Sequence, residues 1–162
     1  MNAPLVTPTS NVPISPDQTA ETYFGTNRDS NYDGTPDLNN GSYTFKPVAI
    51  TQLPQNDWTL SGSWQISGQS ITSQANDATL TFSVVAKDVY VVSGNANNQP
   101  ISMPVGLPAS AAGQYTSDDQ NGNIVISTPD LYHIVSLHQF GPTDVTLTVP
   151  SGVSLYTFTF GS

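Results

Sequence analysis

The chain has 162 residues, enough for one domain with a substantial core, and only 9% of them are charged. Three Lys and Arg residues stand against twelve Asp and Glu, and this net charge of −9 argues against a nucleic-acid partner, because phosphate binding needs clustered cations. The absence of cysteine excludes thiol catalysis, disulfides and zinc–thiolate sites.

The first 18 residues predict a linker or an extended arm rather than a folded element. Four prolines interrupt any regular structure there: Pro4, Pro8, Pro13 and Pro16. The domain itself is therefore expected to occupy residues 19–162. No apolar run in the chain approaches the roughly 20 residues that a membrane-spanning helix needs, so we do not expect the protein to be membrane-embedded.

The segment after residue 28 has the spacing of a calcium-binding loop. It reads D-S-N-Y-D-G-T-P-D, with oxygen-bearing side chains at positions 1, 3, 5 and 9 and a glycine at position 6. A polar turn is the alternative, because Asn, Asp and Gly favour turns for conformational reasons alone. The predicted calcium ligands are the side chains of Asp29, Asn31, Asp33 and Asp37 and the backbone carbonyl of Thr35.

Beyond residue 42 the main signal is alternation of apolar and polar residues, which predicts short β-strands. Gly62 suggests a bulge and Pro47 a kink. Many short strands separated by Gly and Pro turns predict an all-β sandwich or barrel. The predicted strands cover residues 43–50, 58–66, 80–84, 89–92, 124–126, 131–137, 145–149 and 153–160.

Aromatic and basic side chains near these strands are candidates for a carbohydrate-binding surface, because aromatic faces stack on the apolar side of a sugar ring. Core packing is the alternative for the two tryptophans, since Trp is highly buried on average. Tyr32 lies inside the polar loop and is expected to be the most exposed aromatic. The candidate residues are Tyr23, Arg28, Tyr32, Trp58 and Trp64.

Five short landmarks occur along the chain in a recognisable order. They are T-A-E-T-Y-F-G-T-N-R (19–28), W-T-L-S-G-S-W (58–64), L-T-F-S-V-V-A-K-D-V-Y-V-V (80–92), P-D-L-Y-H-I-V (129–135) and Y-T-F-T-F-G (156–161). With these landmarks the chain resembles the C-terminal domain of the DipZ-type thioredoxin-like proteins. In that family a carbohydrate-binding-module-like β-sandwich follows an extracytoplasmic thioredoxin domain. The resemblance implies a jelly-roll sandwich of the galactose-binding type in a secreted, periplasmic or cell-surface setting.

The resemblance also implies a binding role, with a thioredoxin-like domain as a partner on the full-length chain. We therefore expect a non-catalytic module that binds a polysaccharide or cell-surface glycan, with calcium as its candidate cofactor. The redox activity is not carried over, because the chain has no C-x-x-C motif. His133 and His138 are expected to be structural, and no catalytic set is readable.

A structural role is the alternative function. The chain would then be a subunit of an extracellular surface assembly or filament. Residues 1–18 would add as a strand to the open sheet edge of a neighbouring copy.

Overall fold

The computed structural model describes residues 18–108 and 122–161, which form a fold made almost entirely of β-strands. In those ranges the one helical element is a 3₁₀ turn, Ile50–Gln52, and no helix has the length and hydrophobicity needed to cross a bilayer. The predicted all-β fold is confirmed, while the predicted arm lies outside the described residues except for Gln18. The strands are β1 Thr22–Tyr23, β2 Gly41–Phe45, β3 Trp58–Ile66, β4 Ile71–Ser73, β5 Ala78–Asn95, β6 Ile101–Gly106, β7 Asn123–Ile126, β8 Asp130–Val149 and β9 Val153–Gly161.

These strands form one antiparallel sheet that closes on itself. Its order is β1-β9-β4-β3-β5-β8-β6-β7, and β2 pairs with β3. Strand β9 pairs with both β4 and β5, so β3, β4, β9 and β5 make a closed ring of neighbours. The first half of β5 pairs with β3 and its second half with β9, while β8 follows β5 along both halves. The closure produces the facing layers of the predicted sandwich.

Alternating apolar residues fill the space inside the closed sheet, as strand geometry requires. Leu80 and Phe82 of β5 are fully buried, and they lie opposite the equally buried Leu147 and Val145 of β8. Phe82 also belongs to a cluster of four aromatic rings whose neighbouring centroids are 4.8 to 5.3 Å apart. This cluster consists of Phe24, Trp58, Phe82 and Phe158.

Strands β5 and β8 are each longer than the sequence predicts. The segments predicted as separate strands at residues 80–84 and 89–92 are one continuous strand, and so are those at 131–137 and 145–149. A register shift at Lys87 takes up the break in alternation, while the pairing with β8 continues on both sides. The register shift at this point therefore does not end either strand.

The strand predicted for residues 43–50 ends at Phe45, so its second half is wrong. Pro47 has no backbone N–H to donate to a ladder, and the chain turns instead into the 3₁₀ element. Alternation also missed three strands. Strands β1 and β4 have only two and three residues, and β6 is interrupted in pattern by Pro104.

The start of the described chain is attached to the last strand. The side-chain amide of Gln18 donates to the carbonyl of Phe160 at 3.1 Å, and the hydroxyl of Thr157 donates to the carbonyl of Thr22 at 2.8 Å. Strand β1 is therefore held against β9 at one edge of the sheet. That edge forms one wall of the candidate site.

Candidate functional site

A cleft of about 280 Å³ lies where β1, the turn after it, the β3–β4 turn and β9 meet. Two tyrosines stand at this cleft, one on β1 and one on β9, and we call it the Tyr23–Tyr156 cleft. Amide, guanidinium and phenol groups all reach its surface, which is the mixture that small-molecule sites use to fix a ligand's orientation. Its lining residues are Tyr23, Gly25, Asn27, Arg28, Gly68, Gln69, Tyr156 and Thr157.

Two glycines allow the turns beneath the cleft to approach each other. A Cβ at Gly25 would lie 2.5 Å from the Cα of Gln69 and closer still to the carbonyl of Gly68. A Cβ at Gly68 would lie 2.9 Å from the side chain of Asn27. The two turns are joined by backbone hydrogen bonds of 2.9 Å, from Thr26 N–H to Ser67 and from Asn27 N–H to Gly68. At Gly25 only glycine permits this contact, because a Cβ there would meet backbone atoms that cannot move aside.

Tyr23 is held between a cation and an acid at the rim of the cleft. The guanidinium carbon of Arg28 lies 3.7 Å from the centroid of the Tyr23 ring, a cation–π contact. The Tyr23 hydroxyl donates to the Glu21 carboxylate at 3.0 Å. That hydrogen bond raises the pKa of Tyr23, and the nearby charge of Arg28 opposes the rise. The phenol is thus fixed in place and stays protonated.

The structure corrects the prediction that the tryptophans contact a ligand. Trp58 and Trp64 are both 0% exposed, so neither indole face is available to a sugar ring. Their indole N–H groups donate to backbone carbonyls, of Ser30 at 2.8 Å and of Ser61 at 3.0 Å. Both side chains are core residues with satisfied polar atoms.

Tyr32 is also less exposed than the sequence predicts. Its ring packs edge-on against Trp58 and Phe45, with centroids 4.8 and 5.9 Å apart. Its hydroxyl is buried against Gly34 and has no well-formed hydrogen bond among the described residues. Burial raises the pKa of Tyr32 well above its usual range. The expectation of a ligand-facing ring is therefore wrong, because the polar loop folds its one aromatic residue inward.

The predicted calcium ligands are spread along the loop. Asp29 and Asp37 are exposed. The Thr35 carbonyl, expected to face the ion, accepts a hydrogen bond from the Lys46 N–H at 2.8 Å. Asn31 has a left-handed backbone, with φ of 63°. Across residues 18–108 and 122–161 no three Asp, Glu or His side chains converge as a metal-binding group. Calcium binding stays a prediction.

Asp33 has a partner that the sequence did not indicate. The loop pairs with the start of β3, because the Asp33 N–H donates to the Trp58 carbonyl at 2.8 Å. This pairing brings Asp33 beside Asp57. Burial, a hydrogen bond with Asp33 and the charge of Asp33 raise the pKa of Asp57 from 3.8 to about 6. Asp57 therefore keeps its proton to a higher pH than an ordinary Asp, because ionising it beside Asp33 places two negative charges together.

A second titratable cluster lies on the sheet outside the cleft lining. His133 Nε2 of β8 is 3.0 Å from Asp88 Oδ1 of β5, and its ring stacks on Tyr90 with centroids 4.3 Å apart. Burial and the Asp88 charge raise the pKa of Tyr90. These contacts agree with a structural role for His133. The structural roles of His133 and His138 both stay predictions.

Of the five predicted carbohydrate-binding residues, the structure brings Tyr23 and Arg28 into the cleft. Sequence reasoning missed the other lining residues, because Gln69 lies in a turn and Tyr156 in the final strand. Tyr156 carried no usable signal either, because Phe158 lies two residues further along the same face of β9 and is fully buried.

Comparison with known proteins gives a family match for almost the whole chain. The family described as "Thioredoxin like C-terminal domain" matches residues 19–161. Proteins named DipZ from Mycobacterium bovis and Mycobacterium tuberculosis are 28% identical over 144 residues, which cover 88% of this chain and 18% of theirs. The chain therefore spans less than a fifth of the length of these curated relatives.

Among solved structures, a family two carbohydrate esterase from Cellvibrio japonicus aligns with a TM-score of 0.42 and 14% identity. The alignment covers 57% of this chain and 27% of the esterase chain. This likeness is too distant to bear on fold or function.

Proposed function

The chain belongs to the family of thioredoxin-like C-terminal domains, and from this membership we propose that it is a non-catalytic, extracytoplasmic binding module. It holds a polysaccharide or cell-surface glycan in the Tyr23–Tyr156 cleft and so positions the rest of a longer protein. A thioredoxin-like domain on the same full-length chain is the expected partner. The predicted resemblance to the DipZ C-terminal domain is confirmed by the family match and the DipZ relatives, and the glycan assignment is our proposal.

The composition of the cleft carries this proposal. Sugar C–H groups are slightly positive and pack on the negative face of an aromatic ring. Arg28 already covers one face of Tyr23, so we assign the stacking face to Tyr156. The amides of Asn27 and Gln69 can both donate to and accept from sugar hydroxyls. A cleft with one ring available for stacking and two side-chain amides suits a polar, ring-shaped ligand.

Replacing Tyr156 by alanine is expected to weaken glycan binding about tenfold, because the ring that covers the apolar side of the sugar is lost. Tyr156→Phe keeps that ring and should retain most of the affinity. A glycan array would first identify the polysaccharide, and calorimetry would then compare the variants with it, each with and without calcium.

The matched control is Tyr90→Ala. It removes a partly exposed tyrosine from the same fold outside the cleft lining, so its affinity should equal that of the unchanged protein. Equal losses in Tyr156→Ala and Tyr90→Ala would contradict the proposed site. Absence of binding to every polysaccharide, with and without calcium, would contradict the function itself.

We further propose that calcium stabilises the loop of residues 29–37 by binding beside Asp33 and Asp57. These two carboxylates repel each other when both are ionised, and a divalent cation near them relieves the repulsion. Because folding raises the pKa of Asp57 from 3.8 to about 6, the stability that its protonation contributes is fully present below about pH 3.8 and is lost as the pH rises through 6. Calcium and the proton on Asp57 therefore compete for the same pair of carboxyl groups.

Calcium is expected to raise the melting temperature at pH 7.5 and to have little effect at pH 5, where Asp57 holds its proton. Asp33→Asn removes one carboxylate and should abolish the effect of calcium at pH 7.5. Asp77→Asn makes the same change at an exposed acid elsewhere and should preserve it. The melting temperatures of the unchanged protein, Asp33→Asn and Asp77→Asn are each measured with calcium and with a chelator. An equal calcium response at both pH values would remove the Asp33 and Asp57 pair from consideration.

A further inference from the structure

Arg28 is a rare positive charge placed at the cleft of an acidic protein. The chain has three Lys and Arg residues against twelve acids. Arg28 is exposed, and of these three cations it alone lines the Tyr23–Tyr156 cleft. In the described ranges no Lys or Arg nitrogen lies within 4.0 Å of a carboxylate oxygen, so no carboxylate there neutralises Arg28 at that distance. A ligand can therefore supply the counter-charge.

The local contacts leave Arg28 able to bind an anion. Its guanidinium carbon lies 3.7 Å from the centroid of the Tyr23 ring, and one of its donors reaches the Tyr23 hydroxyl, but a guanidinium has five N–H donors and this contact does not use them all. Glu21 accepts the Tyr23 hydroxyl at 3.0 Å and makes no ion pair with Arg28 within 4.0 Å. The planar edge of a guanidinium matches the two oxygens of a carboxylate, which it can bind with two parallel hydrogen bonds.

We propose that the cleft selects a glycan carrying an isolated uronic acid, whose carboxylate is bound by Arg28. This inference rests on the proposed glycan-binding function and narrows its ligand class. The remaining polar lining suits sugar hydroxyls, and one guanidinium balances one negative charge. A polymer with a charge on every sugar would be repelled by the net charge of −9. A single acidic sugar flanked by neutral sugars avoids this repulsion.

The test compares two ligands that differ by one charge. The probes are a disaccharide of glucuronic acid linked to a neutral sugar, and the methyl ester of the same disaccharide. Calorimetry on the unchanged protein should show about tenfold weaker binding of the ester, because the charge-assisted hydrogen bonds to Arg28 are lost. Added salt should weaken binding of the acid and leave that of the ester unchanged, since only the acid is held by charge.

Three variants then assign the preference to a residue. Arg28→Gln should bind the acid and the ester equally. Arg28→Lys keeps the charge but not the planar fork, and should keep a smaller preference for the acid. Lys87→Gln removes the same charge at a residue outside the cleft lining, and should keep the full preference. Melting temperatures identify any variant that is not folded, and the comparison of the two ligands on the unchanged protein needs no variant.

Each other outcome overturns a definite part of the proposal. Equal binding of acid and ester by the unchanged protein would overturn the uronic-acid inference and leave the glycan function standing. A preference that persists in Arg28→Gln would overturn the role of Arg28. Failure of the acid and the ester to bind, with binding of another, neutral polysaccharide on the array, would overturn the inference alone, and absence of binding to every polysaccharide would overturn both the inference and the proposed function. Binding of a short Asp-containing peptide in place of the sugars would assign the cleft to an acidic peptide.

Discussion

Trp58→Ala should destabilise the protein by about 4 kcal/mol, a large fraction of the roughly 5 to 15 kcal/mol by which native domains are stable. The side chain is 0% exposed and contacts Phe24 and Tyr32 with ring centroids 4.8 Å away in both cases. Alanine leaves a cavity that these rings cannot fill and leaves the Ser30 carbonyl without its indole donor. Urea unfolding followed by fluorescence of the remaining tryptophan measures the loss.

Trp58→Phe separates packing from hydrogen bonding. It keeps an aromatic ring against Phe24 and removes the donor to Ser30, so we expect a smaller loss of about 2 kcal/mol. Hydrogen exchange should show the loop of residues 29–37 opening more often in both variants, since Trp58 joins it to the core. A loss below about 1 kcal/mol in Trp58→Ala would show that the indole is not a core element.

Gly25→Ala should destabilise the protein by about 3 kcal/mol and abolish ligand binding in the cleft. The added methyl group meets backbone atoms of Gly68 and Gln69, which cannot rotate away as a side chain could. The two turns must separate, and the hydrogen bonds from Thr26 and Asn27 that join them lengthen. Faster hydrogen exchange of those two amides, together with urea unfolding, tests both parts of this result.

Gly141→Ala is the matched control for this substitution. A Cβ at Gly141 has nothing within 4 Å, so the same methyl group should change the free energy of unfolding by less than about 0.5 kcal/mol. Ligand binding should also be unchanged. Equal effects at Gly25 and Gly141 would mean that the approach of the two turns does not build the cleft.

The all-β fold could be predicted because strand alternation is a local property of the sequence. The continuity of β5 and β8 could not, because it depends on pairing between the two strands. At Lys87 the alternation breaks, and the partner strand shifts register while the ladder continues. Nothing within residues 85–88 alone indicates that the partner will follow.

The candidate site was predictable only in part. Tyr23 and Arg28 are close in sequence, so their pairing could be anticipated, whereas Gln69 and Tyr156 reach them only through the closure of the sheet. Composition also favoured Tyr32 as exposed, because its neighbours are polar. Its ring turns inward because the apolar surface of Trp58 lies directly beneath it.

Because the cleft is lined by both β1 and β9, it can form only late in the synthesis of the chain. Thr22 of β1 and Thr157 of β9, whose hydrogen bond joins the two strands, are 135 residues apart in the chain. During synthesis on the ribosome, residues 23–28 emerge long before their partner strand. The core strands β3 and β5 can begin to pair while this site is still incomplete. The proposed ligand can therefore bind in the cleft only after β9 has been synthesised and has paired with β1.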